Sequence, residues 1–189
     1  MRFAALTTSY PAAGESAAVD PAAEPRVLRL RGIEAQTVAS LLSRFDLKLE
    51  ILADGAEIPG SYWGECEAGL IGDSLYARPD TPLHSILHEA GHWITCTPER
   101  RAQVHTDAAD TEEEEGATCW LQIVLADALP GFGRERALVD MDAWGYSFRL
   151  GSAKAWFERD AEDAQAWLRA RTLIDDSGAC TWRVRDTSD

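Results

Sequence analysis

The chain has 189 residues, long enough for one domain with its own core, and a hydrophobic share of 46% places it among globular proteins. Its formal net charge of −14 opposes binding to nucleic acid or to an anionic membrane surface. No apolar run approaches the roughly 20 residues that span a bilayer, and the early Thr7, Thr8 and Ser9 do not read as a secretory signal, so a cytoplasmic location is expected.

Residues 1–25 are rich in Ala and Pro (Pro11, Pro21, Pro25), which predicts a mobile arm ahead of a single domain over 26–189. Between Ile33 and Phe45, the residues Val38, Leu41 and Leu42 recur at helical spacing. Asp46 to Leu52 alternates polar and apolar, as a half-buried strand does. Asp54-Gly55 and Pro59-Gly60 mark turns. Over 61–78 two further strands are expected. Tyr62-Trp63 opens one, Glu65 to Gly69 turns, and Leu70-Ile71 with Ser74-Leu75-Tyr76-Ala77 forms the other.

A helix is predicted over 81–96, with Asp80 or Thr81 as its cap, Pro82 in its first turn, and Leu83, Ile86, Leu87, Ala90 and Ile94 as its buried stripe. A polar loop over 97–110 holds Arg100, Arg101 and His105. A second strong helix spans 111–129 and stops at Pro130-Gly131. Helical segments are expected again near 134–144, 152–159 (Ser152 as N-cap) and 160–171, and 181–185 reads as a short strand or an ordered tail. The fold class is therefore α+β: a small antiparallel or mixed sheet packed on two helices, with more helices after them.

The first of those helices carries His88-Glu89-Ala90-Gly91-His92. Histidines at i and i+4 lie one above the other on one helical face, so two imidazoles can converge on one tetrahedral zinc ion. The intervening Glu89 can act as general base towards a metal-activated water. Two ordinary histidines are the bland alternative. It is disfavoured because a buried helix must find partners for them. His84 lies one turn earlier and reads as a surface residue more readily than as a neighbour of the metal.

A catalytic zinc takes three protein ligands and leaves one position open. The run Glu112-Glu113-Glu114-Glu115 offers the third, although acidic residues favour a helix N-terminus in any case. The Glu114 face continues through Ala117, Leu121, Val124, Leu125 and Ala128 and is apolar. The Glu115 face runs through Thr118, Cys119, Gln122 and Ala126 and is more polar. Glu113 is intermediate. The apolar face is the one expected to turn inward, which favours Glu114, with Glu115 next. The cysteines Cys66, Cys96, Cys119 and Cys180 form no C-x-x-C pair and read as free thiols, Cys96 as a core residue.

With these residues in place, the chain resembles the gluzincin metallopeptidases, and in its order of elements the small ImmA/IrrE-type (minigluzincin) family. The resemblance covers roughly residues 33–130 and includes a pattern Glu-x-x-Ala-Asn, matched by Glu114-Glu115-Gly116-Ala117-Thr118 with Thr118 in place of Asn. It implies a zinc metallopeptidase in which His88, His92 and Glu114 hold Zn2+, Glu89 is the base, and the partner is a protein or peptide substrate. Tyr62, Tyr146 and His105 are candidates to stabilise the oxyanion. Arg100 and Arg101 could receive an acidic peptide or form a solvated loop. A catalytically silent zinc-binding regulatory protein and a non-peptidase zinc hydrolase are the competing functions.

Overall fold

A computed structural model describes residues 26–61, 65–105 and 111–186. The Ala/Pro-rich stretch 1–25, Tyr62-Trp63 and the end of the loop after His105 lie outside the described residues. The architecture is α+β, with seven α-helices and a three-stranded mixed sheet among the described residues.

Helix α1 (Ala35–Leu42) buries Val38, Leu41 and Leu42 and tightens into a 3-10 turn over Ser43–Phe45. Asp46, with φ of 56°, reverses the chain into strand β1 (Lys48–Ile51). Strands β2 (Gly69–Ile71) and β3 (Ser74–Ala77) follow, and the sheet order is β1-β3-β2. β3 runs parallel to β1 and antiparallel to β2. The single strand expected over 70–77 is thus a hairpin. Ile71 pairs with Ser74 across Gly72-Asp73, and Gly72 turns the chain at φ of +54°, a conformation open to a residue without Cβ.

Leu70, Leu75 and Ala77 face the core, where helix α2 (Leu83–Thr95) crosses. Its residues Leu83, Ile86, Leu87 and Ile94 are fully buried, each contributing about 2 kcal/mol, which helps offset the cost of burying polar groups on the same helix. The expected side-chain cap is absent. Thr81 Oγ1 accepts from the Arg78 backbone N–H at 2.9 Å and Asp80 binds the Arg78 guanidinium at 2.9 Å, so both are engaged elsewhere. Pro82 is the N-cap residue, and the Leu83 N–H donates instead to the Leu28 carbonyl at 2.9 Å.

The other end of α2 is held by residue 185. Its backbone N–H donates to the Ile94 carbonyl at 2.9 Å, and its guanidinium Nη1 to the Thr95 carbonyl at 3.3 Å. The segment 181–186 forms no strand, and Trp182 turns the chain at φ of 61°.

The loop after α2 contains a short helix, α3 (Pro98–Arg101), capped by Thr97, whose Oγ1 accepts from the Arg100 N–H at 3.3 Å. Helix α4 (Glu112–Ala126) starts on Thr111, whose Oγ1 accepts from the Glu114 N–H at 3.2 Å. α5 (Gly133–Trp144) ends at Gly145, α6 (Ala153–Arg159) has the expected Ser152 cap, and α7 (Glu162–Ala170) packs on α4. No helix among the described residues is long and apolar enough to cross a membrane.

α2 and α4 approach closely at Gly91. A Cβ there would stand 2.9 Å from Thr118 Cγ2 and 3.1 Å from the Thr118 carbonyl oxygen. That contact brings the polar face of α4 against the histidines of α2.

Candidate metal centre

His88 and His92 sit one turn apart on α2 with their rings edge to face, centroids 4.5 Å apart and Nε2 atoms 3.0 Å apart. The other nitrogen of each ring is engaged. Gln122, from α4, donates through Nε2 to the His84 carbonyl at 2.9 Å, which leaves its Oε1 to accept from His88 Nδ1 at 3.1 Å. The proton on His88 is thereby fixed on Nδ1. His92 Nδ1 faces Thr118 Oγ1 at 3.5 Å, Thr118 faces Thr95 Oγ1 at 3.2 Å, and Thr95 donates to the His92 carbonyl at 3.3 Å. Read from that carbonyl backwards, the chain of donors ends with a proton on His92 Nδ1. With those protons on Nδ1, the two Nε2 atoms face one another across 3.0 Å with their lone pairs available to a cation.

A carboxylate completes the set. Glu115 Oε1 lies 3.4 Å from His88 Nε2, and Oε2 lies 3.5 Å from His92 Nε2. Ligand atoms around a tetrahedral zinc with bonds of 2.0–2.1 Å stand about 3.4 Å apart, and Glu115 comes that close to each imidazole, with a different oxygen towards each. Cys119 follows Glu115 by one turn of α4, and its Sγ is 4.0 Å from Glu115 Oε1. The ligand atoms of His88, Glu115 and Cys119 all lie within 4.8 Å of one another.

Glu114, the favoured third ligand, is not at this place. Arg100 Nη1 donates to both of its oxygens at 2.8 Å, and Arg185 Nη1 reaches Oε2 at 3.3 Å. The inference that the carboxylate on the inward face would meet the histidines fails for a physical reason. Glu114 does turn inward, being 2% exposed, but there it meets two arginines. The polar face with Thr118, Cys119 and Gln122 is the one that lines the histidines. The Glu-x-x-Ala pattern beginning at Glu114 accordingly does not begin on the carboxylate beside the imidazoles, and Glu113 is exposed.

The same contacts remove Arg100 and Arg101 as a free basic pair. Arg100 is committed to Glu114, and Arg101 donates to the carbonyls of Trp93, Cys96 and Arg185 at 3.0, 2.7 and 2.6 Å.

Glu89 is half-buried, and its Oε2 has no hydrogen-bond partner. Burial pushes its carboxyl well above the usual range, with the negative charges of Glu115 and Glu67 adding to the effect. Such a carboxyl is poised to take a proton. Burial, then His88 and Arg100, depress His92 well below the ordinary histidine value, so it presents a neutral imidazole.

Tyr146 stands edge-on to His88, with centroids 6.0 Å apart, and its hydroxyl lies 3.4 Å from Gln122 Nε2. Burial raises its phenol, which keeps it a proton donor. His105 is exposed and bridges Ile71 at the sheet edge, while Tyr62 lies outside the described residues.

One histidine differs from its sequence reading. His84 is fully buried rather than superficial, ringed by Trp144 and Tyr146 at centroid distances of 5.3 and 5.6 Å, with neither ring nitrogen partnered. Desolvation lowers its pKa to about 3. Cys119 is a buried free thiol, as expected, one turn after Glu115 on the same face of α4. Cys96 is a buried residue at the end of α2, as expected. No disulfide links the described cysteines.

The chain matches no family model, no curated protein and no solved structure.

Proposed function

We propose that the chain is a zinc-dependent metallopeptidase of the gluzincin kind, with His88, His92 and Glu115 as metal ligands and Glu89 as general base. The observation that supports this reading is the convergence of two imidazole nitrogens and one carboxylate, beside the half-buried Glu89 whose Oε2 has no hydrogen-bond partner. Held by His88, His92 and Glu115, a zinc ion would supply Lewis-acid polarisation of a carbonyl and activation of a water molecule. Glu89 takes the proton from the attacking water and hands it to the leaving amine. Gln122 and the Thr118–Thr95 pair hold the imidazoles in the tautomer that leaves Nε2 free. Tyr146 offers the nearest described hydroxyl for the developing oxyanion.

Metal content and hydrolysis of a peptide library, measured together, test the reading. Glu89→Gln is expected to keep zinc and lose roughly 10²–10⁴-fold in rate, whereas Glu115→Gln loses the metal. Zinc binding by the parent without hydrolysis of any peptide would point to a regulatory zinc protein. No zinc above background at neutral pH would refute the site altogether.

A further inference from the structure

Cys119 is the side chain beside the three ligands that the hydrolytic scheme does not use. We propose that it is a fourth, displaceable ligand of the metal held by His88, His92 and Glu115, so that the resting site is closed by a thiolate. The inference rests on the metal reading given above and extends it to the coordination position that a peptidase must leave open.

Three observations support it. Cys119 is 2% exposed and stands one turn after Glu115, so both side chains leave α4 on the face that meets the histidines. Its Sγ is 4.0 Å from Glu115 Oε1 and within 4.8 Å of the His88 ligand atom. Since a zinc–sulfur bond is about 2.3 Å, a coordinated sulfur sits about 3.6 Å from the other ligand atoms, so ligation requires Sγ to move closer to His88 and Glu115 than it stands without the ion. Third, the remaining thiols are occupied differently: Cys66 accepts from Arg29 Nη1 at 3.4 Å, Cys180 accepts from the Trp182 N–H at 3.4 Å, and Cys96 lies at the end of α2.

Coordination breaks the S–H bond, forms the metal–sulfur bond and releases the proton to solvent. A thiolate also changes which ion the site prefers. It favours zinc over magnesium or manganese, and a set of four protein ligands is the pattern of closed zinc sites, whereas three with water is that of catalytic ones. The two patterns would be states of one site here: on opening, the sulfur leaves, takes up a proton from solvent, and a water fills the vacated position.

The test is zinc K-edge X-ray absorption on the zinc-loaded parent protein, with optical spectra of the cobalt(II) form. The expected result is one sulfur scatterer at about 2.3 Å and a thiolate-to-cobalt charge-transfer band in the near ultraviolet. Cys119→Ser should lose both, release one proton fewer per metal bound, and hydrolyse peptides several-fold faster. Cys96→Ser should retain the band. A nitrogen- and oxygen-only shell in the metal-loaded parent overturns the fourth ligand and leaves the three-ligand site standing. If the parent binds neither zinc nor cobalt, the metal reading falls and takes this proposal with it. The absorption measurement needs no substitution, so the outcome stands even if Cys119→Ser does not fold.

Discussion

Glu114 has arginine nitrogens on both oxygens, and the nearer pair of contacts is 2.8 Å. Replacing it by Gln leaves Arg185, whose side chain is 6% exposed, short of a negative partner. Loss of one member of a buried pair costs about 3 kcal/mol or more, so Glu114→Gln is expected to lower the urea midpoint markedly. Glu115→Gln should leave that midpoint nearly unchanged in the metal-free protein and abolish zinc retention. Equal effects of the two changes on zinc would undo the distinction between them.

His84 makes a second prediction at this scale. The folded chain holds it neutral down to about 3, whereas an unfolded chain protonates it below about 6.5. The unfolded state therefore binds more protons across that window, and stability falls as pH drops through it. Near pH 5 this group accounts for roughly 2 kcal/mol. Urea titrations of the metal-free protein at pH 7 and 5 should show His84→Phe losing less stability on acidification than the parent. An unchanged pH slope would mean that His84 is not held neutral by its surroundings.

At the scale of elements, the site depends on how α2 and α4 meet. Gly91 permits the approach, because Thr118 backbone and side chain occupy the space where a Cβ would go. The carbonyl oxygen of Thr118 belongs to α4 and cannot move alone, so Gly91→Ala must push the helices apart. The expected cost is about 1–3 kcal/mol, read as a lower melting temperature. Zinc affinity should drop with it, because the histidines ride on one helix and Glu115 on the other. Unaltered affinity in a folded Gly91→Ala protein would show that the centre tolerates a looser pair.

The same contact explains what periodicity could and could not reveal. The buried stripe of α2, the stop of α4 before Pro130 and the cap at Ser152 are local matters, and each was legible from residue spacing. Which glutamate faces the histidines is not local. It depends on the roll of α4, set by the Gly91–Thr118 contact and by arginines at 100 and 185, far apart along the chain. The hairpin was missed for a smaller reason. The turn Gly72-Asp73 is only two residues long, and the short stretches on either side of it read together as one strand.

For the whole molecule, binding of an ion to the folded form alone must shift unfolding. At a free zinc concentration about 100 times the dissociation constant the gain is about 2.7 kcal/mol, so zinc should raise the melting temperature and a chelator should reverse it. Arg185→Ala should reduce that gain although the residue touches no proposed ligand, because it links the Thr95 carbonyl to Glu114, the neighbour of Glu115. A full zinc shift in Arg185→Ala would show that the far segment is dispensable for the centre.

Helix α2 is held at one end by residue 28 and at the other by residue 185. On a ribosome, the histidines, Glu114, Glu115 and Cys119 are all synthesised before that arginine. Until it is added, Glu114 lacks one of its cations and the last turn of α2 lacks its clasp. If the proposed ligands hold a metal, its loading waits on residue 185, and a chain clipped before that residue would carry the proposed ligands without the frame that aligns them.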